Sequence, residues 1–166
     1  MQHDTPAHET LWDLIKDIQF GMFTHRSAEG MLHAHPLTTQ NKAVDEGATL
    51  YFFVPRGGEI ARGIAHDPQV CVSYADPGDD RYVSVSGEAR MVEDLAKKEA
   101  LFTPMAKAWF PGGPGDPGLG LLAVRLDHAQ YWDVDESKMV QLFKMAKAAV
   151  TGEPPKNLGE HKELRL

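Results

Sequence analysis

The chain has 166 residues, 42% of them hydrophobic. This length and composition suffice for one domain with a hydrophobic core, but the chain is too short for two domains of ordinary size. Its formal net charge of −7, with no stripe of Lys and Arg to offset it, argues against a nucleic acid as a partner. The chain begins without an apolar leader and has no run of about 18 apolar residues that could span a membrane, so we expect a cytoplasmic protein.

The first third of the chain predicts one helix, a hairpin and a buried strand. Apolar residues at helical spacing indicate an amphipathic helix that starts after Thr5-Pro6 and ends at Gly21. The runs GMFTHR and MLHAHPL flank a turn in which Gly30 is suited to a positive φ, so they predict a hairpin. The dense apolar run TLYFFV then predicts a central strand that is covered on both faces.

The rest of the chain predicts more strands between helices. GEIARGIAHDP fits two helical turns, QVCVSYA fits a strand, and RYVSVSGEARMV fits a longer strand with Val83 and Val85 facing the core. A second helix is expected over Glu93–Trp109, and LGLLAVRL and AQYWDV are expected to form the last two strands. A third helix is predicted over Ser137–Val150.

Short connections between these strands favour antiparallel pairing and closure into a small barrel, which hides the sheet edges. We therefore predict an α+β fold dominated by β structure: a six- to seven-stranded, mostly antiparallel split β-barrel with flanking helices. Residues 1–150 would form this single domain. The prolines and charges of residues 151–166 predict an exposed C-terminal arm.

The order of these elements and several motifs resemble a known family, the flavin-binding split-barrel proteins related to pyridoxamine 5′-phosphate oxidase, and above all its general stress protein 26 branch. The resemblance runs from about Leu11 to Thr151 and is carried by HAHPLTTQ (33–40), LYFFVPRGGEIARGI (50–64), DPQVCVSYADP (67–77), YVSVSGEARMVED (82–94), WFPGG (109–113) and YWD (131–133). WFPGG together with YWD is the specific part.

This resemblance implies a homodimer that binds FMN at the subunit interface. By position in the family motifs, the cofactor contacts would be His35, Leu37, Thr38, Thr39, Gln40, Phe53 and Val54, with Ser84 or Ser86 and Trp132 as weaker assignments. Taken alone, the two threonines fit ordinary hydrogen bonding at a strand end equally well.

Trp109 and Phe110 stand beside a loop of five glycines and three prolines, WFPGGPGDPGLGLL. A flavin or a partner subunit that covered these rings would remove their apolar area from water, a gain of up to a few kcal/mol per ring. Packing beneath their own barrel is an equally good interpretation. We count both as candidate cofactor-binding residues.

The sequence departs from the family where the cofactor phosphate would bind. His35 stands where relatives commonly have Arg, and Gly58, Glu59 and Ile60 stand where they have a Ser/Arg/Lys cluster. Arg56 or Arg62 could substitute, as could the backbone N–H groups near Gly57-Gly58, but solvated surface arginines are as good an interpretation.

No catalytic residue can be assigned, because a flavin carries its own electron chemistry and leaves no spaced motif in the protein. The chain lacks the basic residues that hold substrate in pyridoxamine phosphate oxidases, so that reaction is not expected. The resemblance leaves two functions open: a flavin-dependent oxidoreductase of an unknown small substrate, or a stress protein that binds or senses flavin without turnover.

Two further clusters in the sequence contain metal-ligating or acid–base side chains. His33 and His35 share one face of a strand and His25 could approach them, as in metal-binding barrels, but no carboxylate stands at a matching spacing, so we predict no metal site. Asp133, Asp135 and Glu136 could form an acid–base cluster, although solvation of a strand end and capping of the next helix explain them better.

Overall fold

The computed structural model describes residues 5–133, 138–154 and 160–166. These residues form one antiparallel sheet of seven strands in the order β2-β1-β4-β5-β6-β3, with β7 also paired to β6. The strands are β1 (Gly21–Arg26), β2 (Leu32–Leu37), β3 (Thr49–Pro55), β4 (Gln69–Asp76), β5 (Arg81–Val92), β6 (Leu119–Asp133) and β7 (Glu160–Leu164).

Helices flank this sheet, and together they make an α+β split barrel, which confirms the predicted fold class. The helices are α1 (Ala7–Ile15), α2 (Glu59–His66), α3 (Leu95–Leu101), α4 (Pro104–Trp109) and α5 (Lys138–Thr151). None of the helices in the described ranges is long and apolar enough to cross a membrane.

The hairpin and the long strand match their sequence patterns closely. Gly30 has φ +90° in the β1–β2 turn, where its missing side chain avoids the strain that other residues would meet. Val83 and Val85 are buried in the barrel core, whereas Tyr82 on the opposite face is exposed. Helix α1 is shorter than predicted, since it ends at Ile15 and not at Gly21.

Strand β3 separates two hydrophobic clusters. Leu50, Phe52 and Val54 point into the main core inside the barrel. Phe53, on the other face, packs with Leu101 of α3 in a second cluster that also contains Ala106, Leu119 and Leu121. The prediction that TLYFFV is covered on both faces is therefore confirmed.

The predicted central position of this strand is wrong, because β3 lies at the end of the strand order. Its outer edge is instead covered by the segment that follows β2. Gln40 N–H donates to the carbonyl of Tyr51 over 2.8 Å. Tyr51 N–H donates to Asn41 Oδ1 over 2.7 Å, and Asn41 Nδ2 donates to the carbonyl of Thr49 over 2.8 Å. Gln40 and Asn41 thus occupy hydrogen-bonding groups of Thr49 and Tyr51 at the start of β3, as a neighbouring strand would.

Two predicted divisions between elements were also wrong. The helix expected over Glu93–Trp109 is broken into α3 and α4, because Pro104 forces the preceding Thr103 into the extended region. Conversely, the two strands expected from LGLLAVRL and AQYWDV are one continuous strand, β6. Ser86 pairs with His128 and Gly87 with Leu126, so Asp127 is an extra residue that a bulge accommodates without ending the strand.

The predicted C-terminal arm over residues 151–166 includes β7 in its described part. This strand pairs with the last residues of β6, and the ring of His161 stacks on Trp132 with centroids 4.9 Å apart. Leu164 and Leu166 pack against the main core.

Candidate functional site

The end of β2, strand β3 and helix α4 enclose an apolar cavity of about 320 Å³. It brings together six of the residues assigned from the sequence. They are Leu37, Thr38, Gln40, Phe53, Trp109 and Phe110, and the remaining lining residues are Phe20, Pro36, Pro55 and Ala106.

Local sequence explains why these residues meet. The alternation of β3 turns Phe53 away from the barrel core and toward the helices. Helix α4 begins at Pro104, where the Thr103 hydroxyl accepts from Ala106 N–H, and it ends beside the glycine-rich loop. The hydrogen bond from Gln40 to Tyr51 holds the segment after β2 against β3. The cavity therefore lies where the end of β2, strand β3 and helix α4 meet.

The two aromatic residues that open the glycine-rich loop differ in burial. Phe110 packs against the second cluster, beside Phe53. Trp109 is the last residue of α4 and is 79% exposed at the cavity wall. An indole this exposed leaves a large apolar area in water, and such surface commonly marks a binding site. The single chain thus does not cover Trp109 by itself.

The other assigned cofactor residues do not line this cavity. The Thr39 hydroxyl forms a hydrogen bond with the buried Tyr74 hydroxyl over 2.6 Å, and Val54 points into the barrel core while its backbone pairs with Gly120. Ser84 lies in β5 with its hydroxyl 3.5 Å from Cys71 Sγ. Trp132 stacks on His161 near the end of β6.

The arginines considered for a phosphate are engaged elsewhere. Arg56 Nη2 donates to Glu93 Oε2 over 3.0 Å, and Arg62 Nη1 donates to the carbonyl of Gly57 over 2.9 Å. The N-terminus of α2 carries a carboxylate, Glu59, as its first residue. The local positive charge that would favour an anion is therefore reduced on this side.

His35 lies instead in a cluster with His25, His33 and Glu59. In the β1–β2 hairpin His25 pairs directly with His33, and the register places His35 two residues further along β2. The Nε2 atoms of His25 and His35 are 3.1 Å apart. His35 Nε2 lies 3.8 Å from Glu59 Oε2, while His33 Nδ1 contacts Glu59 Oε1. A smaller cavity of about 210 Å³ lies beside the cluster, lined by His35, Pro55, Gly58, Glu59 and Ile60.

Burial lowers the pKa of His25, and the neighbouring His35 and His33 act in the same direction. The hydrogen bond from His33 lowers the pKa of Glu59, and the charges of the imidazoles add to this effect. At neutral pH the cluster therefore presents a neutral His25 next to an ionised carboxylate.

Glu59 is the member of this cluster that the sequence did not predict. It stands at no matching spacing from the three histidines, since it belongs to a helix that follows a different strand. The available signal was the position of the carboxylate as the first residue of an amphipathic helix directly after β3. Asp133, from the acidic cluster considered earlier, lies 3.9 Å from Arg81, whereas Asp135 and Glu136 lie outside the described residues.

Comparisons with known proteins agree with this architecture. Residues 6–156 match the family described as pyridoxamine 5′-phosphate oxidase like. A general stress protein 26 from a Jannaschia species is 25% identical, with a TM-score of 0.71, and the match covers 93% of this chain and 95% of that one. A general stress FMN/FAD binding protein from Xanthomonas citri is 30% identical, with a TM-score of 0.67, over 79% of this chain and 91% of that one.

A curated relative, the protein bli-3 of Neurospora crassa, is 28% identical over 96 residues. These residues are 53% of this chain and 46% of the relative, so the match spans less than half the length of that protein.

Proposed function

Because the chain belongs to the pyridoxamine 5′-phosphate oxidase-like family, we propose that it binds a flavin, FMN, in the apolar cavity between β2, β3 and α4. In this proposal FMN lies at the interface of a homodimer and the protein is an oxidoreductase of a small substrate. The observation that carries the proposal is the convergence of Leu37, Thr38, Gln40, Phe53, Trp109 and Phe110 on one cavity. Support also comes from the Xanthomonas citri relative, which is an FMN/FAD binding protein.

The cavity suits the ring of a flavin. Its volume of about 320 Å³ falls within the usual range of small-molecule sites, and its walls are mostly apolar. Phe53, Trp109 and Phe110 supply flat apolar cover, while Thr38 and Gln40 supply polar groups for the pyrimidine edge. Pro55 lines both this cavity and the smaller one, so the two cavities are adjacent.

The residues near the smaller cavity do not suit a phosphate by charge alone. Arg56 and Arg62 are engaged with Glu93 and Gly57, and the charged side chain that lines this cavity is Glu59. Like charges at close range repel, and the repulsion is stronger where water is partly excluded. The ring site is thus better matched to FMN than the phosphate end is.

When bound, a flavin supplies hydride and electron transfer at its ring system. In this proposal the protein binds, orients and shields. Thr38 and Gln40 would hold the polar edge of the ring, Phe53 and Phe110 would exclude water, and Trp109 would cover the ring from the cavity wall. Substrate would reach the ring from the side that these residues leave open.

The outer face of the sheet supplies a surface for the proposed homodimer. Met22 and Pro36 pair across β1 and β2, and Leu32 lies further along the same face. Tyr82 and Trp132 pair across β5 and β6. All five side chains are exposed although they are apolar or aromatic, and a second copy of the chain would remove them from water.

The proposal is tested by titrating purified protein with FMN and FAD while recording flavin absorbance and fluorescence, and by sedimentation analysis of the same samples. We expect saturable binding of one FMN per chain with a dimer of two chains. A monomer, or flavin spectra identical to those of free FMN at all protein concentrations, would contradict it.

Turnover is tested separately by anaerobic photoreduction followed by a screen of electron acceptors. An oxidoreductase should pass electrons to a particular acceptor faster than free reduced FMN does. Binding without such acceleration would instead support the alternative, a flavin-binding or flavin-sensing stress protein.

A further inference from the structure

The cluster of His25, His33, His35 and Glu59 has the donor set of a metal centre. Among the described residues it contains the one group of three side chains, His25, His35 and Glu59, whose ligand atoms all lie within 4.8 Å of one another. Imidazole nitrogens with one carboxylate are ligands typical of zinc and of other divalent first-row transition metals. Calcium and magnesium prefer all-oxygen sites and fit this set less well.

The distances match coordination as well as they match hydrogen bonding. Two ligands of a tetrahedral ion with bonds of about 2.0–2.1 Å lie about 3.3–3.4 Å apart. His25 Nε2 and His35 Nε2 are 3.1 Å apart, and His35 Nε2 is 3.8 Å from Glu59 Oε2. These two distances lie within about 0.5 Å of the tetrahedral spacing, and the ligand atoms of all three side chains lie within 4.8 Å of one another.

The remaining two components of the cluster also fit a metal centre. His33 contacts the second oxygen of Glu59 and thereby fixes the carboxylate toward His35, as outer ligand-orienting groups do in metal proteins. The cavity lined by His35 and Glu59 leaves space for a water molecule or another exogenous ligand. Three protein ligands and one open position are the arrangement found in catalytic zinc sites.

We propose that His25, His35 and Glu59 bind a divalent first-row transition metal ion with one coordination position open to the adjacent cavity. His33 acts as a positioning residue for Glu59. The site lies beside the proposed flavin cavity, with Pro55 in the walls of both, but its existence does not depend on flavin binding.

The test measures Zn²⁺ binding by the full chain, purified without a histidine tag and treated with a chelator. Competition with a chromophoric zinc indicator should show one Zn²⁺ per chain. His35→Ala and Glu59→Gln should each weaken binding at least 100-fold, and His33→Ala by about 10- to 100-fold. His66→Ala is the matched control, because His66 is exposed on α2 outside the cluster and its loss should leave the affinity unchanged.

Two further measurements keep the result interpretable. Circular dichroism of each variant establishes that it is folded, and the absorption spectrum of added Co²⁺ reports whether the ion is bound by protein ligands. Less than half an equivalent of Zn²⁺ per folded chain would overturn the proposal. So would affinities that do not change in folded His35→Ala and Glu59→Gln, or that fall equally in His66→Ala.

Discussion

The apolar cavity and the histidine–glutamate cluster occupy two ends of the same face of β2. His33, His35 and Leu37 follow one another at every second position on this face. The polar cluster therefore lies at the start of the strand and the cavity at its end. The cavity is built from motifs that the sequence shows as contiguous stretches. The cluster becomes a complete donor set only when the first residue of α2 is added, so the cluster depends on the packing of α2 and the cavity on the packing of α4.

Among the substitutions that separate the cluster from the cavity, the largest loss of stability is expected at Gly63, where α2 approaches β1. A Cβ at this position would lie 2.5 Å from His25 Nδ1 and 2.6 Å from the carbonyl oxygen of Arg26. The backbone oxygen cannot move aside, so Gly63→Ala should lower the free energy of unfolding by about 2–3 kcal/mol despite the better helix propensity of Ala.

Urea denaturation measures the stability of this variant, and zinc titration measures whether Glu59 has moved away from the histidines. Gly57→Ala is the control, because a Cβ there meets no atom within 4 Å in the described chain. A Gly63→Ala protein as stable as the Gly57→Ala protein, with unchanged zinc affinity, would show that the position of α2 does not control the cluster.

A smaller effect, confined to the other region, is expected at Trp109. Since the side chain is 79% exposed, Trp109→Ala should change the free energy of unfolding by less than about 0.5 kcal/mol. FMN affinity should fall about tenfold, which corresponds to about 1.4 kcal/mol, because the flavin ring would lose its contact with the indole.

Fluorescence titration of FMN measures this loss in affinity. Met105→Ala, an exposed apolar residue on the same helix that does not line the cavity, is the matched control. Equal FMN affinities in the two variants would indicate that the flavin binds elsewhere. The zinc affinity of both variants should equal that of the unmodified protein.

The smallest effect on FMN binding is expected at the edge of the cavity, from loss of the hydrogen bond between Thr39 and Tyr74. The Tyr74 hydroxyl holds Thr39 next to two residues of the cavity wall, and burial raises the pKa of this phenol, so it stays protonated and able to donate. Tyr74→Phe should cost about 1 kcal/mol of folding free energy and weaken FMN binding a few-fold.

Thermal and urea denaturation give the stability change, with Tyr51→Phe as the control, because the Tyr51 ring packs against Lys97 and does not line the cavity. If both Phe variants behave alike in stability and in FMN titration, the bond between Thr39 and Tyr74 does not position the cavity wall.

The sequence predicted most of the sheet because strand alternation is a local property. The hairpin of β1 and β2, the faces of β5 and the two covered faces of β3 all follow from which residues are apolar. Strand order could not be derived this way, and β3 was wrongly placed at the centre because burial by helices resembles burial by neighbouring strands.

The errors at boundaries have local physical causes. Pro104 interrupts a run that otherwise has the pattern of one helix, while the two strands expected on either side of Asp127 are joined through the bulge in β6. The cavity residues that were predicted lie in motifs that can be recognised in the sequence. Glu59 was missed as a partner of His33 and His35 because no sequence spacing reports a contact between a hairpin and a helix.

The side-chain amide of Asn41 has a consequence for the behaviour of the protein in concentrated solution. An uncovered strand at the end of a sheet offers its N–H and carbonyl groups to other chains and promotes aggregation. Asn41 engages the N–H of Tyr51 and the carbonyl of Thr49, so a strand from another molecule can pair with the start of β3 only if the amide is displaced. One side chain thereby protects this part of the sheet against edge-to-edge polymerisation.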